Sequence, residues 1–202
     1  STHCLVYILH VGKIFSRAKI IPSTSYWNSE WAKILAFDAL IGNTDRHQEN
    51  WGLVVSIKKE EEAKIHELSN SDSIDLSFET KLAPAFDNGT SLMYEILDTN
   101  LHKFISPARR ASYIQKGTHQ MKMIPSDVKK AGHLDLLEVF ARRHPEVILD
   151  FAQVINGMTK VEDILQEMVR FDIGVPFTSL RASVLTDTIT ERIEYFKKRL
   201  NL

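Results

Sequence analysis

The sequence has a single cysteine, Cys4, which excludes an intramolecular disulfide framework and is compatible with a reducing compartment. No apolar run approaches the roughly 18 residues that a membrane-spanning helix requires. Neither sign of charge is in excess, because the formal net charge is -1, so the composition gives no general attraction to nucleic acid or to a membrane. No basic segment precedes a long apolar core at the start of the sequence. We therefore expect no signal peptide and a cytoplasmic protein.

The composition is that of a folded protein. Hydrophobic residues make up 44% and charged residues 25% of the 202 positions, which argues against disorder. We predict one domain over residues 1–202, with a mixed front over residues 1–99 and a helical region over residues 100–202. The front has too little apolar sequence for a core of its own, so we expect the helices to cover it.

Apolar patterning gives a coarse secondary structure for the front. Residues 5–21 are rich in Val, Ile, Tyr and Phe and predict one or two short strands. A three-four apolar spacing predicts a helix over residues 29–41. Residues 51–57 predict a strand, and residues 81–87 an extended segment. The charged residues 58–64 between them predict the solvated tip of a hairpin.

Start and stop signals frame the helices of the second half. A Ser-Pro start and a Gly stop predict a helix over residues 107–117, and a Pro and a Gly frame another over residues 145–157. The segments 159–162 and 188–191 have capping-box spacing and predict two further helix starts.

The segment that carries chemistry is residues 41–51, which read IGNTDRHQENW and lie between a predicted helix and a predicted strand. An Asp five residues before an Asn on such a loop is typical of a kinase catalytic loop. Asp45 suits the base that orients the attacking hydroxyl, and the amide oxygen of Asn50 suits Mg²⁺. Asp87 ends the extended segment and supplies a second metal ligand. Gly89 follows at a point where we expect an unusual backbone conformation.

Each of these residues has an ordinary structural interpretation when it is taken singly. Asp45 is typical of a cap, residues 87–89 of a turn, and His47 of a hydrogen-bonded histidine. Their joint order and spacing favour phosphoryl transfer. On that hypothesis Asp45 and His47 are candidate catalytic residues, and Asn50 and Asp87 are candidate metal and cofactor ligands.

Three segments resemble a known family. Residues 43–51 (NTDRHQENW) resemble the catalytic loop of HipA-like serine/threonine kinases, and residues 82–92 (LAPAFDNGTSL) resemble their metal-binding segment. Residues 113–121 (YIQKGTHQM) are similar to a further block of the family. The resemblance implies an α+β fold of the protein-kinase C-lobe type, mostly helical, with a small β-hairpin that carries the catalytic and metal-binding loops.

The resemblance also implies an activity and its partners. Asp45 becomes the catalytic base, Asn50 and Asp87 the Mg²⁺ ligands, ATP the phosphoryl donor, and a protein serine or threonine the acceptor. The family's bacterial context is a toxin–antitoxin pair, which implies a helix-turn-helix antitoxin as a possible partner. We expect neither direct binding of nucleic acid nor a membrane partner.

The sequence departs from the family in two respects. Gly12 precedes the catalytic loop without the clustered glycines that cover the phosphates in a complete kinase, so we expect either a fragment of a longer kinase or a C-lobe-only protein whose N-lobe is absent or supplied by a partner chain. In the third block, Thr118 and Gln120 stand where the family has Arg and His, and Met93 stands where a small residue is usual.

Three alternatives remain open at this stage. A kinase fold without catalysis would serve as a binding module, or as one half of a split kinase. The loop from Asp45 to Asn50 is also similar to that of phosphoinositide kinases. A metal-dependent hydrolase would use Asp45, His47 and Asp87 as ligands.

Overall fold

The structure is a computed structural model that describes residues 3–57, 78–171 and 177–202, except for the side chain of residue 159. The hairpin tip predicted at residues 58–64 lies outside the described residues. The helices and strands are α1 (Leu5–Arg17), α2 (Thr24–Ile41), β1 (Leu53–Ile57), β2 (Phe78–Leu82), α3 (Asp98–Leu101), α4 (Pro107–Lys116), α5 (His133–Arg143), α6 (Ile148–Gly157), α7 (Val161–Met168) and α8 (Ser179–Leu200). Short 3₁₀ turns occupy His102–Ile105, Pro145–Val147 and Met158–Lys160.

The first element is a helix, so the prediction of strands over residues 5–21 was wrong. The Val, Ile, Tyr and Phe residues of this segment favour a strand locally, but β propensity yields to tertiary packing. The buried positions of α1 are Leu5, Ile8, Leu9 and Gly12, which recur at helical spacing and face α2. A Cβ atom on Gly12 would lie 2.2 Å from Cδ1 of Trp27, so this glycine permits the close approach of the two helices.

Helix α2 is the central element, and it packs against α1, α5 and α6. It begins at Thr24, earlier than predicted, because the hydroxyl of Ser23 caps it by accepting a 3.0 Å hydrogen bond from the Tyr26 N–H. It ends where predicted, at Gly42, whose φ of +69° is left-handed. The end of this buried helix therefore fixes the start of the predicted catalytic loop.

The two strands form an antiparallel hairpin in which Leu53 pairs with Leu82 and Ile57 with Phe78. The Ala83 N–H donates a 2.8 Å bond to the Gly52 carbonyl and extends the ladder by one step. Asn50 precedes β1 and Asp87 follows β2, so both residues leave the sheet at the same end. The predicted small antiparallel pair of strands is confirmed.

The helices after residue 100 agree with the stop signals better than with the capping boxes. Helix α4 spans the predicted segment, and α6 ends at Gly157 as predicted. The start predicted at residue 188 was wrong, because α8 begins at Ser179, where Thr178 is the cap. Thr188 lies in the middle of α8 and donates to the Val184 carbonyl at 2.7 Å, one turn back.

The buried apolar residues form two clusters. The larger surrounds α2 and includes Trp27 and Trp31, and the ring centroid of Trp51 lies 5.7 Å and 5.4 Å from theirs. The smaller lies between α7, α8 and the segment that contains Met93. None of the helices in the described residues is long and apolar enough to cross a membrane.

Candidate active site

The predicted catalytic loop is built on the guanidinium of Arg46, which is completely buried. Its five N–H groups all find acceptors. Nε and Nη2 donate to the two carboxylate oxygens of Asp38, at 3.0 Å and 2.7 Å. Nη1 donates to the carbonyl oxygens of Asn50, at 2.9 Å, and of Phe86. Nη2 also donates to Oδ1 of Asn88 at 2.6 Å. Arg46 therefore joins the catalytic loop to the metal-binding segment.

Asp38 is the buried counter-ion of this arginine, and it lies on the last turns of α2. Burial acts to raise the pKa of its carboxyl group, but hydrogen bonds from His119 and Arg46 outweigh burial, so the pKa lies below its usual value. Asp38 also accepts a 3.0 Å bond from the amide of Asn43. The carboxylate thus stays charged and saturated with donors, as a buried charge must.

Asn43 orients the start of the loop from both ends of its side chain. Its amide N–H binds Asp38, and its Oδ1 accepts bonds from the Asp45 N–H at 3.1 Å and from the Thr90 hydroxyl at 2.9 Å. The Leu92 N–H donates to the Ile41 carbonyl at 2.8 Å. These bonds tie the segment after Asp87 to the end of α2.

Asp45, the predicted base, is accessible. Its side chain is 43% exposed, and none of the described residues donates a hydrogen bond to its carboxylate. His47 lies beside it, with Nε2 4.0 Å from Oδ2 of Asp45, while Nδ1 of His47 accepts a 3.2 Å bond from the Glu49 N–H. The loop therefore presents an unpartnered carboxylate and an oriented imidazole side by side.

Asn50 is held by its amide nitrogen, which donates a 2.8 Å bond to the Asp45 carbonyl. Its backbone N–H donates to the His47 carbonyl at 3.1 Å. The residue is only 4% exposed, yet its Oδ1 accepts no bond within the described ranges. A fixed amide with a free oxygen is a suitable ligand for a hard cation such as Mg²⁺.

Asp87 is exposed, and its backbone is left-handed, as is that of Leu92 at the end of the predicted metal-binding segment. The φ of Asp87 is +53°, whereas Gly89 does not have a positive φ, so the unusual conformation predicted for Gly89 belongs to Asp87. Left-handed backbone is uncommon outside glycine, although Asp and Asn tolerate it best. Arg46 binds the residues on either side, Phe86 and Asn88, and so holds this stretch of the segment against the loop that contains Asp45.

The donor set fits magnesium better than zinc. Asn50 and Asp87 offer an amide and a carboxylate oxygen, which are the ligands that Mg²⁺ prefers. No group of three or more His, Cys, Asp and Glu residues lies close enough to bind a metal in residues 3–57, 78–171 and 177–202. Asp45, His47 and Asp87 therefore do not form the ligand cluster that the hydrolase alternative required.

The residues that organise the site were not identified from the sequence as functional. Asp38 carried a usable signal, because a carboxylate at an apolar position of a buried helix requires a buried partner. His119 lies in the third family block, yet nothing in the sequence places it beside Asp38, 81 positions away. His3 lies 2.6 Å from the Arg46 carbonyl. Burial lowers the pKa of His3 to about 4, although the bond to Arg46 opposes the shift.

Comparison with known proteins gives a similarity in fold to a solved structure. No protein-family model and no curated protein matches the sequence. The fold is similar to the crystal structure of CtkA, a proinflammatory kinase of Helicobacter pylori, with a TM-score of 0.62 and 19% sequence identity. This chain has a kinase-like fold. The match covers 89% of this chain and 56% of the CtkA chain, so the chain spans little more than half the length of that kinase. The mostly helical architecture with its two-stranded sheet agrees with the predicted C-lobe.

Proposed function

We propose that this chain is the catalytic-loop half of an ATP- and Mg²⁺-dependent phosphotransferase that acts on a serine or threonine hydroxyl of a protein. The proposal combines the kinase-like fold with the resemblance of residues 43–51 and 82–92 to HipA-like kinases. Asp45 is the base, His47 lies beside it, and Asn50 and Asp87 are the metal ligands.

The observation that carries the proposal is the bonding of Arg46. One buried guanidinium contacts Asn50 on one loop and both neighbours of Asp87 on the other. A catalyst of phosphoryl transfer works chiefly by positioning and by electrostatic stabilisation, so its ligands must be held before the nucleotide arrives. A merely structural turn does not need a shared buried cation.

Each side chain has a distinct task in this proposal. The exposed carboxylate of Asp45 orients the acceptor hydroxyl and takes its proton as transfer proceeds. The free Oδ1 of Asn50 and the carboxylate of Asp87 hold the cation. The bound Mg²⁺–nucleotide supplies the phosphoryl group and neutralises its charge.

Calorimetric titration of the purified chain with ADP, first with Mg²⁺ and then with EDTA, tests the nucleotide site. We expect binding that requires Mg²⁺ and that weakens at least about tenfold in Asp87→Ala, because a direct ligand is lost. Asp163→Ala is the matched control, because it also removes an exposed aspartate carboxylate, here from the surface of α7, and it leaves binding unchanged. Absence of Mg²⁺-dependent binding in the wild type, or an unaffected Asp87→Ala variant, overturns the proposal.

The role of Asp45 needs a separate variant. Asp45→Asn keeps the shape of the loop and removes the base, so we expect nucleotide affinity close to that of the wild type. Transfer from ATP to a protein hydroxyl falls by about 10² to 10⁴, the usual contribution of general base catalysis. A variant that binds and transfers like the wild type removes Asp45 from the mechanism.

A further inference from the structure

His119 is a buried histidine whose two ring nitrogens are both used. It is 1% exposed, and its Nδ1 accepts a 3.0 Å bond from the Met121 N–H. Its Nε2 lies 3.2 Å from Oδ2 of Asp38. Because Nδ1 accepts, the ring proton lies on Nε2, and His119 donates to the carboxylate of Asp38.

The bond from His119 completes the shell of donors around Asp38. Oδ2 accepts from His119 and from Nε of Arg46, and Oδ1 accepts from Nη2 of Arg46 and from Asn43. The four donors belong to three residues, Asn43 and Arg46 on the loop after α2 and His119 on a distant segment. The plane of the carboxylate is therefore fixed, and with it the plane of the guanidinium that binds it bidentately.

We propose that His119 is a positioning residue for the two magnesium ligands, and that it acts through Asp38 and Arg46. This inference rests on the proposed function. The three N–H groups of the arginine that do not bind Asp38 make one contact with the first loop, at the Asn50 carbonyl, and one with the second, at the Phe86 carbonyl and Oδ1 of Asn88 on either side of Asp87. A rotation of the guanidinium moves both contacts together, and a misplacement of about 1 Å is costly for a preorganised site.

His119 is itself held in place by residues outside both loops. The backbone N–H of His119 donates to the Ala131 carbonyl at 2.8 Å, and the neighbouring Thr118 pairs with Gly132 in an isolated antiparallel bridge. The ring of His133 packs edge-on against it, with the centroids 5.6 Å apart. The segment between α4 and α5 thus supports the loops without contributing a ligand.

Two substitutions at position 119 separate positioning from packing. His119→Gln can place an amide N–H where Nε2 lies, whereas His119→Leu fills the space without a donor. We expect the dissociation constant of Mg²⁺–ADP, measured by calorimetry, to rise about tenfold in His119→Leu and to stay within about threefold of wild type in His119→Gln. Equal constants in both variants and wild type overturn the inference.

Loss of stability alone must not be mistaken for loss of positioning. Ile155→Val trims a buried residue of α6, remote from the loops in sequence, and lowers the unfolding temperature with no change in Mg²⁺–ADP affinity. His102→Leu removes a histidine at an exposed position and leaves affinity and stability unchanged. If Ile155→Val weakens binding as much as His119→Leu does, affinity follows stability and the inference is wrong.

A double-mutant cycle tests the route through the arginine. Asn88→Ala removes the contact between Nη2 and the metal-binding segment, so it weakens Mg²⁺–ADP binding by itself. Because both changes break one line of contacts, we expect the double variant His119→Leu/Asn88→Ala to lose less affinity than the two single losses multiplied. Strict additivity overturns the route. Failure of the wild type to bind Mg²⁺–ADP would instead overturn the proposed function.

Discussion

The polar region around Asp38 and Arg46 and the smaller apolar cluster bury their side chains in opposite ways. Around α2, the completely buried Asp38 and Arg46 are paired with each other and with polar atoms of both loops. Around α8, most buried residues are apolar, although Arg192 of α8 and Arg110 beside it are buried as well, and the interior hydroxyl of Thr188 bonds within its own helix. Hydrogen bonds and ion pairs are directional, whereas apolar contact depends mainly on area and shape.

The difference explains which region can hold a catalytic geometry. An apolar cluster of the right volume tolerates small shifts of its members, but a buried ion pair is costly unless every donor and acceptor meets its partner. The hydrogen bonds around Arg46 therefore fix the orientation of the groups that they join, and the apolar cluster around α8 contributes stability. Each prediction below changes one region and measures whether the other responds.

Arg46→Met is expected to have the largest effect, because it leaves the carboxylate of Asp38 buried without its main partner. Breaking a buried ion pair costs about 3–5 kcal/mol, which the midpoint of urea unfolding measures. Arg170→Met, on the exposed surface after α7, is the matched control and stays close to wild type. A loss below about 1 kcal/mol would show that the ion pair contributes little.

Leu185→Ala tests the apolar region with a smaller expected loss. The side chain is 2% exposed in the cluster around α8, and such truncations cost about 2–5 kcal/mol. If the two regions divide the work as described, unfolding shifts to lower urea while Mg²⁺–ADP affinity in the folded protein is preserved. A parallel loss of affinity would break the comparison, because the apolar cluster would then also set the geometry of the loops.

Gly42 lies at the junction of the two regions and predicts a moderate effect. Its φ is +69°, and a Cβ atom there would lie 2.4 Å from Nη2 of Arg192, a buried residue of α8 whose Nη1 donates to the Leu40 carbonyl at 3.0 Å. Gly42→Ala should therefore destabilise the fold by at least about 1–2 kcal/mol in a urea titration. Gly52→Ala is the control, since no atom of the described residues, apart from those of its chain neighbours, lies within 4 Å of its Cβ position.

Much of this geometry was predictable from local sequence. The stop at Gly42, the hairpin and the order of Asp45, Asn50 and Asp87 all follow from signals within a few residues, and the structure confirms the elements that carry them. The roles of the three side chains remain predictions. Local signals therefore located the part of the site that depends on neighbouring residues in the sequence.

The remainder depends on contacts between distant segments. The first helix was mistaken for strands because its residues favour β structure, whereas its buried face against α2 decides the outcome. The start of α8 was misplaced because Thr188 and Glu191 have the spacing of a cap, although Thr188 bonds backwards within the helix. The pairing of His119 with Asp38 spans 81 positions, and no periodicity encodes such a contact.

His133 gives the smallest effect at neutral pH and a growing one in acid. Both of its ring nitrogens are buried without a hydrogen-bond partner among the described residues, and burial, reinforced by His119 and Arg192, lowers its pKa well below the usual value. His133 takes up a proton near pH 6.5 in the unfolded chain, while in the folded chain it stays neutral to lower pH, so stability falls as the pH drops below about 6.5.

His133→Phe keeps an aromatic ring against His119 and removes this uptake. Urea midpoints between pH 7 and pH 5 should therefore fall less steeply for the variant than for wild type, and His3, whose pKa burial lowers to about 4, contributes to the slope that remains. If the urea midpoints of His133→Phe and wild type fall equally with pH, His133 is protonated in the folded protein. The polar region would then accept a buried charge at this position, which the apolar cluster around α8 would not.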